Sequence, residues 1–159
     1  SLKGRLNPAQ EAFRNAVLEL ASRHTCARPM VNSGRLSVPC NYAGFDLFGE
    51  DALDGGPTAS SPGMPCPDAP HGDGFILDHL GGGFTLIAVG CAVSDVTTGG
   101  IHATVLHVDN PSEELTARYL GKEPAAVYLI RPDQHVVARW SRFDETAVAR
   151  ALQTAIGKA

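Results

Sequence analysis

Four cysteines and six histidines give this 159-residue chain its main scope for redox, nucleophilic or metal chemistry. Cys26, Cys40, Cys66 and Cys91 are separated by 14, 26 and 25 positions. A dithiol redox pair or a zinc-ligand pair needs two thiolates close enough in sequence for one turn to bring the sulfurs together. None of these spacings does so, and free structural thiols are expected. The histidines are His24, His71, His79, His102, His107 and His135. Besides His71 and His79, the close pair is His102 with His107, five apart in a run suited to a strand. That odd separation sends the two rings to opposite faces, so they cannot share an ion, and metal binding is not expected. Asp78 and His79 are the residue types of a carboxylate–imidazole pair. Sequence neighbours seldom face one another, though, and no Ser or Cys nucleophile is suitably placed, so both are read as surface residues.

Glycine-rich stretches do not supply a phosphate cradle either. Gly81-Gly82-Gly83 precedes a strand-like run, whereas dinucleotide and nucleotide sites place Gly-x-Gly-x-x-Gly or Gly-x-x-x-x-Gly-Lys-Ser/Thr between a strand and a helix. Gly121-Lys122 is followed by Glu123, which breaks the second pattern. No catalytic, cofactor-binding or metal-binding residue is therefore expected in this chain.

The elements that would position these groups are readable from punctuation and periodicity. Asn7-Pro8-Ala9-Gln10 combines an N-cap, a proline at the first helical position and a glutamine behind it, and opens a helix to about His24. Phe13, Val17, Leu18, Leu20 and Ala21 lie on one face of it, with Glu11, Arg14 and Arg23 largely on the other. Residues 29–73 are broken by Gly, Pro, Ser and Asp and read as a long extended linker, with turns at Asp54-Gly55-Gly56-Pro57 and Ser60-Ser61-Pro62-Gly63. Strands are expected at Phe84 to Val89 and Ile101 to Val108. A helix follows from Glu113 to Leu120, closed by Gly121. Strands at Ala125 to Ile130 and His135 to Trp140 flank Arg131-Pro132-Asp133-Gln134, whose proline suits a type I turn, so they form an antiparallel hairpin. A last helix starts at the N-cap Asp144, carries Val148, Leu152 and Ile156 on one face and ends at Gly157.

Composition sets the outer limits. With 43% hydrophobic and 19% charged residues the chain suits one globular core. No apolar run approaches the roughly 18 to 20 residues of a membrane span, and Ser1-Leu2-Lys3-Gly4-Arg5 lacks a signal-peptide core, so no membrane association and a cytoplasmic location are expected. The start at Ser1 rather than Met suits a processed chain or a piece of a longer reading frame. A net charge of −4 argues against nucleic acid as a partner. No Lys or Arg lies between Arg35 and Arg118, an interval holding 11 of the 17 acidic residues. The plain reading is a set of solvated acidic loops; the sharper one is that Arg5, Arg14, Arg23 and Arg28 dock against an acidic neighbour.

Strand, connection, strand, helix, strand, strand, helix is the order of the thioredoxin fold from its central strands onward. The expected architecture is therefore α/β: a thioredoxin-like mixed sheet flanked by helices over residues 74–159, preceded by an amphipathic helix over 1–28 and the linker over 29–73. The corresponding fold carries a cis proline before its third strand, so Glu123-Pro124 is expected to be cis. Enzymes of this fold set Cys-x-x-Cys at the end of the first strand, where this chain reads Gly90-Cys91-Ala92-Val93-Ser94-Asp95. Cys91 has no partner three residues on, no nearby Lys or Arg to favour its thiolate, and Asp95 to oppose it.

Three segments carry a family resemblance: Ser61-Pro62-Gly63-Met64-Pro65-Cys66-Pro67-Asp68, Gly82-Gly83-Phe84-Thr85-Leu86-Ile87, and Val127 to Arg139 with its Arg131-Pro132-Asp133 turn. They resemble the C-terminal region of phenol-hydroxylase-like FAD monooxygenases over about residues 60 to 157, and the first helix resembles the last helix of the flavin-containing part. The family usually has Arg at the place of Pro65, Gly at that of Gln134 and Trp at that of Ala138, with Trp140 here following Arg139. The resemblance implies a parent enzyme that uses FAD and NAD(P)H to hydroxylate an aromatic ring. It also implies a redox-inactive module that packs on the flavin-containing domains of the same chain, and a possible homo-oligomer. None of the family's catalytic positions maps onto this chain. The alternative reading is a stand-alone thioredoxin-superfamily thiol or peroxide oxidoreductase using Cys91, which requires a thiol pKa well below about 8.5. A third is a small interaction protein whose acidic middle binds a basic partner in a salt-sensitive way.

Overall fold

The computed structural model describes residues 40–158 and, in the N-terminal segment, positions 12, 13, 15, 16, 19, 20 and 23. The chain divides into two compact units, Ser1–Pro39 and Cys40–Ala159. In the first, every described position is helical, as the apolar spacing predicts. Glu19 and Arg23 form an i,i+4 ion pair of 2.8 Å on its surface. Phe13 and Leu20, two turns apart, are both exposed. The helix's predicted caps, and Arg5, Arg14, His24, Cys26 and Arg28, lie outside the described residues.

The second unit is built on a mixed sheet of six strands: β1 (Asp51–Ala52), β4 (Phe84–Val89), β5 (Val96–Thr98), β6 (Ile101–Val108), β7 (Ala126–Ile130) and β8 (Val136–Trp140), in the order β1-β8-β7-β4-β6-β5. β2 (Pro70–His71) and β3 (Gly74–Phe75) form a separate antiparallel hairpin. β4 pairs in parallel with β6 and antiparallel with β7, and β8 runs antiparallel to β7. This is the thioredoxin-like α/β arrangement that the order of elements implies.

Alternation along the central strands sends successive side chains to two cores. Ile87, Tyr128 and Ile130 join Val108, Leu115 and Tyr119 on one face. Leu86, Val127 and Leu129 join Trp140, Val148 and Leu152 on the other. All of them are nearly or wholly excluded from solvent. Two helices cover the faces. The first, α1, begins as Glu113–Leu115 behind the N-cap Ser112, whose hydroxyl accepts from the Leu115 amide, and continues as a π-helical turn, Thr116–Leu120. The second, α2 (Glu145–Ala155), has the predicted cap: Asp144 accepts from the Thr146 and Ala147 amides.

Three features differ from the sequence expectation. The connection between β4 and β6 contains β5, which folds back on β6 at Gly99-Gly100, both at positive φ (56° and 81°). Two successive positive φ values match the twist of a tight hairpin and are open to glycine at little cost. Glu123-Pro124 is not cis, since no cis peptide bond occurs among the described residues. The reversal after α1 is made instead at Gly121, φ +62°, whose amide donates to Thr116 O at 2.9 Å, with the Glu123 amide donating to Leu120 O at 3.0 Å; Pro124, in a bend, follows with a trans bond.

The third concerns residues 40–73, expected as an extended linker. They are joined to the sheet. The Gly49 amide donates to Val137 O, that of Gly63 to Val136 O and that of Cys66 to Gln134 O, at 2.7 to 2.8 Å. β1 pairs in parallel with β8, and Leu53, Ser60, Cys66 and Ala69 are buried. Short apolar fragments between turn residues hide this role, because each buries only one or two side chains.

The β7–β8 hairpin turns as predicted, but its last residue, Gln134, sits at φ +64°. The Gln134 amide donates to Arg131 O and that of Arg131 to His135 O, both at 2.9 Å, so Pro132 and Asp133 occupy the turn centre and Gln134 the left-handed position that follows. A left-handed conformation costs a non-glycine residue roughly 1 kcal/mol. Gln134→Gly should therefore raise stability by about 0.5 to 1 kcal/mol in urea unfolding; a loss of that size would show that the glutamine contributes more than it strains.

Candidate functional site

Arg139 is the one charged residue within the fully buried strand β8, 4% exposed. A buried guanidinium needs acceptors on all sides. Asp51 of β1 supplies two, with Arg139 Nε donating to Oδ1 at 2.6 Å and Nη2 to Oδ2 at 3.0 Å. Nη1 donates to Pro57 O at 2.6 Å and to Ser60 Oγ at 3.3 Å. Burial alone would lower the pKa of Arg139, but hydrogen bonding and charge attraction from Asp51 outweigh it, and the net direction is upward.

From Ser60 the network continues through the core. Ser60 Oγ lies 3.1 Å from Tyr128 Oη, which donates to the Tyr119 carbonyl; Tyr119 Oη donates to the Pro67 carbonyl and lies 3.1 Å from Cys66 Sγ. Since the Tyr119 hydroxyl proton is committed to Pro67, the Cys66 thiol is the donor in that last contact. The two tyrosine rings meet edge to face with centroids 5.2 Å apart. Burial raises the pKa of both tyrosines, and it pushes the Cys66 thiol up to about 12. These groups stay protonated and do not act as nucleophiles at neutral pH. Among the described residues no buried side-chain nitrogen or oxygen lacks a partner. The network thus ties residues 51–68 to the sheet and, among the described residues, leaves no buried side-chain nitrogen or oxygen aimed at a ligand.

Cys91 lies just beyond the end of β4, as its position predicts, beside an open depression of about 390 Å³ lined by Gly90, Cys91, Ala92, His107 and Asp109. Its thiol lies 3.6 Å from Ala126 O, and burial raises its pKa, the opposite of what a nucleophilic thiol requires. Asp95 is turned to other work: Oδ1 accepts from the Val105 amide at 2.9 Å, and Oδ2 lies 3.6 Å from His102 Nε2. His102 and His107 are both on β6, with His102 Nδ1 2.9 Å from Thr97 Oγ1. Cys40, Cys66 and Cys91 are free thiols.

Asp78 Oδ2 accepts from the Phe75 amide at 2.9 Å. The ring of His79 packs on that of His71, with centroids 5.4 Å apart, a meeting of β2 with the turn after β3 that sequence spacing did not reveal. Among the described residues no group of three or more His, Cys, Asp or Glu could hold a metal. His135 is nearly buried, with Nε2 3.0 Å from Cys40 O and Nδ1 3.1 Å from Asp133 O.

The described residues do not fit a flavin or nicotinamide pyrophosphate. Gly81, Gly82 and Gly83 lie in the turn before β4, with no helix start behind them. The N-termini of α1 and α2 are capped by Ser112, which takes the Leu115 amide, and by Asp144, which takes those of Thr146 and Ala147; with Glu113, Glu114 and Glu145 in the first turns, the local field repels phosphate. No described helix is long and apolar enough to cross a membrane.

No family model matches the chain, and no curated protein matches it. Solved structures do match in fold. The rebeccamycin biosynthetic enzyme RebC with reduced flavin is 23% identical with a TM-score of 0.58, covering 98% of this chain and 30% of that one. Its substrate-free form is 21% identical with a TM-score of 0.57, covering 96% and 29%. RebC soaked with chromopyrrolic acid and holding 7-carboxy-K252c is 23% identical with a TM-score of 0.57, covering 98% and 30%. The chain thus shares a fold with these proteins and spans about 30% of their length.

The buried network makes two predictions. Asp51 is 43% exposed in its side chain and Arg139 only 5%. Asp51→Ala strands a buried cation and should cost about 3 kcal/mol in urea unfolding at pH 7, whereas Arg139→Met leaves a carboxylate that water can reach and should cost about 2 kcal/mol. The reverse order would show that the pair does not hold the edge strand. For Cys66, the folded pKa of about 12 lies above the ordinary 9.0, so its contribution is complete below pH 9 and disappears as pH rises toward 12. Between those limits the unfolded chain ionises first, and stability should fall by about 1.4 kcal/mol per pH unit on account of this thiol. Cys66→Ala should remove that much of the slope, and an unchanged slope would place the thiol in contact with water.

Proposed function

We propose that this chain is the C-terminal, thioredoxin-like module of a larger FAD-dependent aromatic-ring hydroxylase. In this reading it has a docking, structural or oligomerisation role, while FAD, NAD(P)H and the aromatic substrate are handled elsewhere in the parent protein. The observation that carries the reading is the match of almost the whole chain, 98%, to only 30% of RebC, an enzyme seen with reduced flavin. Two further observations support it. The buried polar groups are consumed in binding residues 51–68 to the sheet. The thiol at the position where related folds do redox chemistry is driven toward its protonated form by burial. The module's partners are then the flavin-containing domains of its own chain and, in an oligomer, a second copy.

The test is to capture the native polypeptide from its source cells with an antibody against residues 40–158, then measure its intact mass and visible spectrum. The expected product is a chain about three times as long, as the 30% coverage implies, and yellow with bound flavin. A flavin-free chain of about 16.7 kDa would overturn the reading.

A further inference from the structure

We propose that His71 and His79 form a two-histidine site for a divalent transition cation of the zinc type, completed by water. This goes beyond the hydroxylase-module reading and does not depend on it. Two imidazoles on one zinc, with Zn–N bonds of about 2.0 to 2.1 Å and a near-tetrahedral angle, place their ring centroids about 5.2 Å apart. The centroids of His71 and His79 are 5.4 Å apart. Their interplanar angle of 77° is no obstacle, because each ring can rotate about its own metal–nitrogen bond.

The two rings are presented by backbone that is already fixed. His71 is the last residue of β2 and pairs with Gly74 of β3. His79 ends the 3-10 turn Ile76–His79. Three bonds pin that turn: the Ile76 amide to Ala69 O at 2.9 Å, the Leu77 amide to Asp68 Oδ1 at 3.2 Å, and the Phe75 amide to Asp78 Oδ2 at 2.9 Å. Ile76, fully buried, anchors it in the core. An ion binding here therefore meets two imidazoles carried on backbone already fixed by folding, which limits the ordering cost to the side chains themselves. The local field is also favourable. His71 and His79 fall inside the interval between Arg35 and Arg118 that has no Lys or Arg, with Asp68, Asp73 and Asp78 close in sequence. Arg118, at its end, is paired with Glu114 and donates to Asp68 O.

The probe is zinc chloride, added to the full 159-residue chain at neutral pH while the histidine Hε1 resonances are followed by NMR. This readout separates imidazole binding from binding at Cys40 or Cys91. The expected result is a saturable shift of the His71 and His79 signals together, at one zinc per chain. His71→Ala and His79→Ala should each weaken zinc binding by more than about tenfold, since even loss of a supporting outer partner costs 10- to 100-fold at metal sites. Both residues lie at the surface or partly exposed, so these variants retain the core. The proposal is overturned if neither resonance moves at millimolar zinc, or if saturable binding persists in the double variant.

Discussion

The paired contact of Arg139 with Asp51 is the constraint on which the second unit depends. A guanidinium in an apolar strand is tolerable only if it is paired and each of its nitrogens is hydrogen-bonded. Here Nε and Nη2 donate to a carboxylate on the sheet edge and Nη1 to the carbonyl and hydroxyl of a neighbouring turn, so each of the three nitrogens is engaged. The edge strand has only two residues and would be too short to persist on its own ladder. The ion pair holds it against β8, and the strand in turn starts the segment that covers one face of the sheet.

That segment explains the division of the core. α2 covers one face with Val148, Ala151, Leu152 and Ala155. The other face receives the short, partly π-helical α1, which alone cannot cover four strands. Leu53, Cys66, Ala69 and Ile76 fill the remainder. Because these side chains come from irregular backbone, their polar main-chain groups must be satisfied locally. Ser60, Tyr128, Tyr119 and Arg139 do this, each bonding a carbonyl or hydroxyl of the covering segment. The polar network and the apolar layer are thus two consequences of using loop rather than helix as a cover.

Strands β4, β6, β7 and β8, α2 and their caps were legible in the sequence, because each carries a long apolar run or a strong boundary residue. Asp144, Gly121 and the Pro132-Asp133 turn act locally, and local chemistry is what a sequence displays. β5 was hidden, since three residues give too little alternation to recognise. The role of residues 40–73 was hidden for a different reason: its evidence is the burial of isolated side chains by partners 50 to 90 positions away. A signal did exist in Arg139, a lone charge in an apolar strand that must have a partner, but nothing local names Asp51 as that partner. The cis expectation at Pro124 failed because Gly121 performs the reversal. The approach of His71 to His79 depends on the β2–β3 hairpin, which the turn residues Gly72 and Asp73 alone did not specify.

Native-state hydrogen exchange of the Gly49, Gly63 and Cys66 amides tests most directly whether the covering segment belongs to the fold. These donate to Val137, Val136 and Gln134 across the boundary between segment and sheet. If the Arg139–Asp51 constraint makes the two one cooperative unit, the three amides exchange only through global unfolding, with the same free energy and denaturant dependence as the amides of β4 and β7. Exchange through a separate opening, of lower free energy and insensitive to denaturant, would contradict this and return residues 40–73 to the status of a linker.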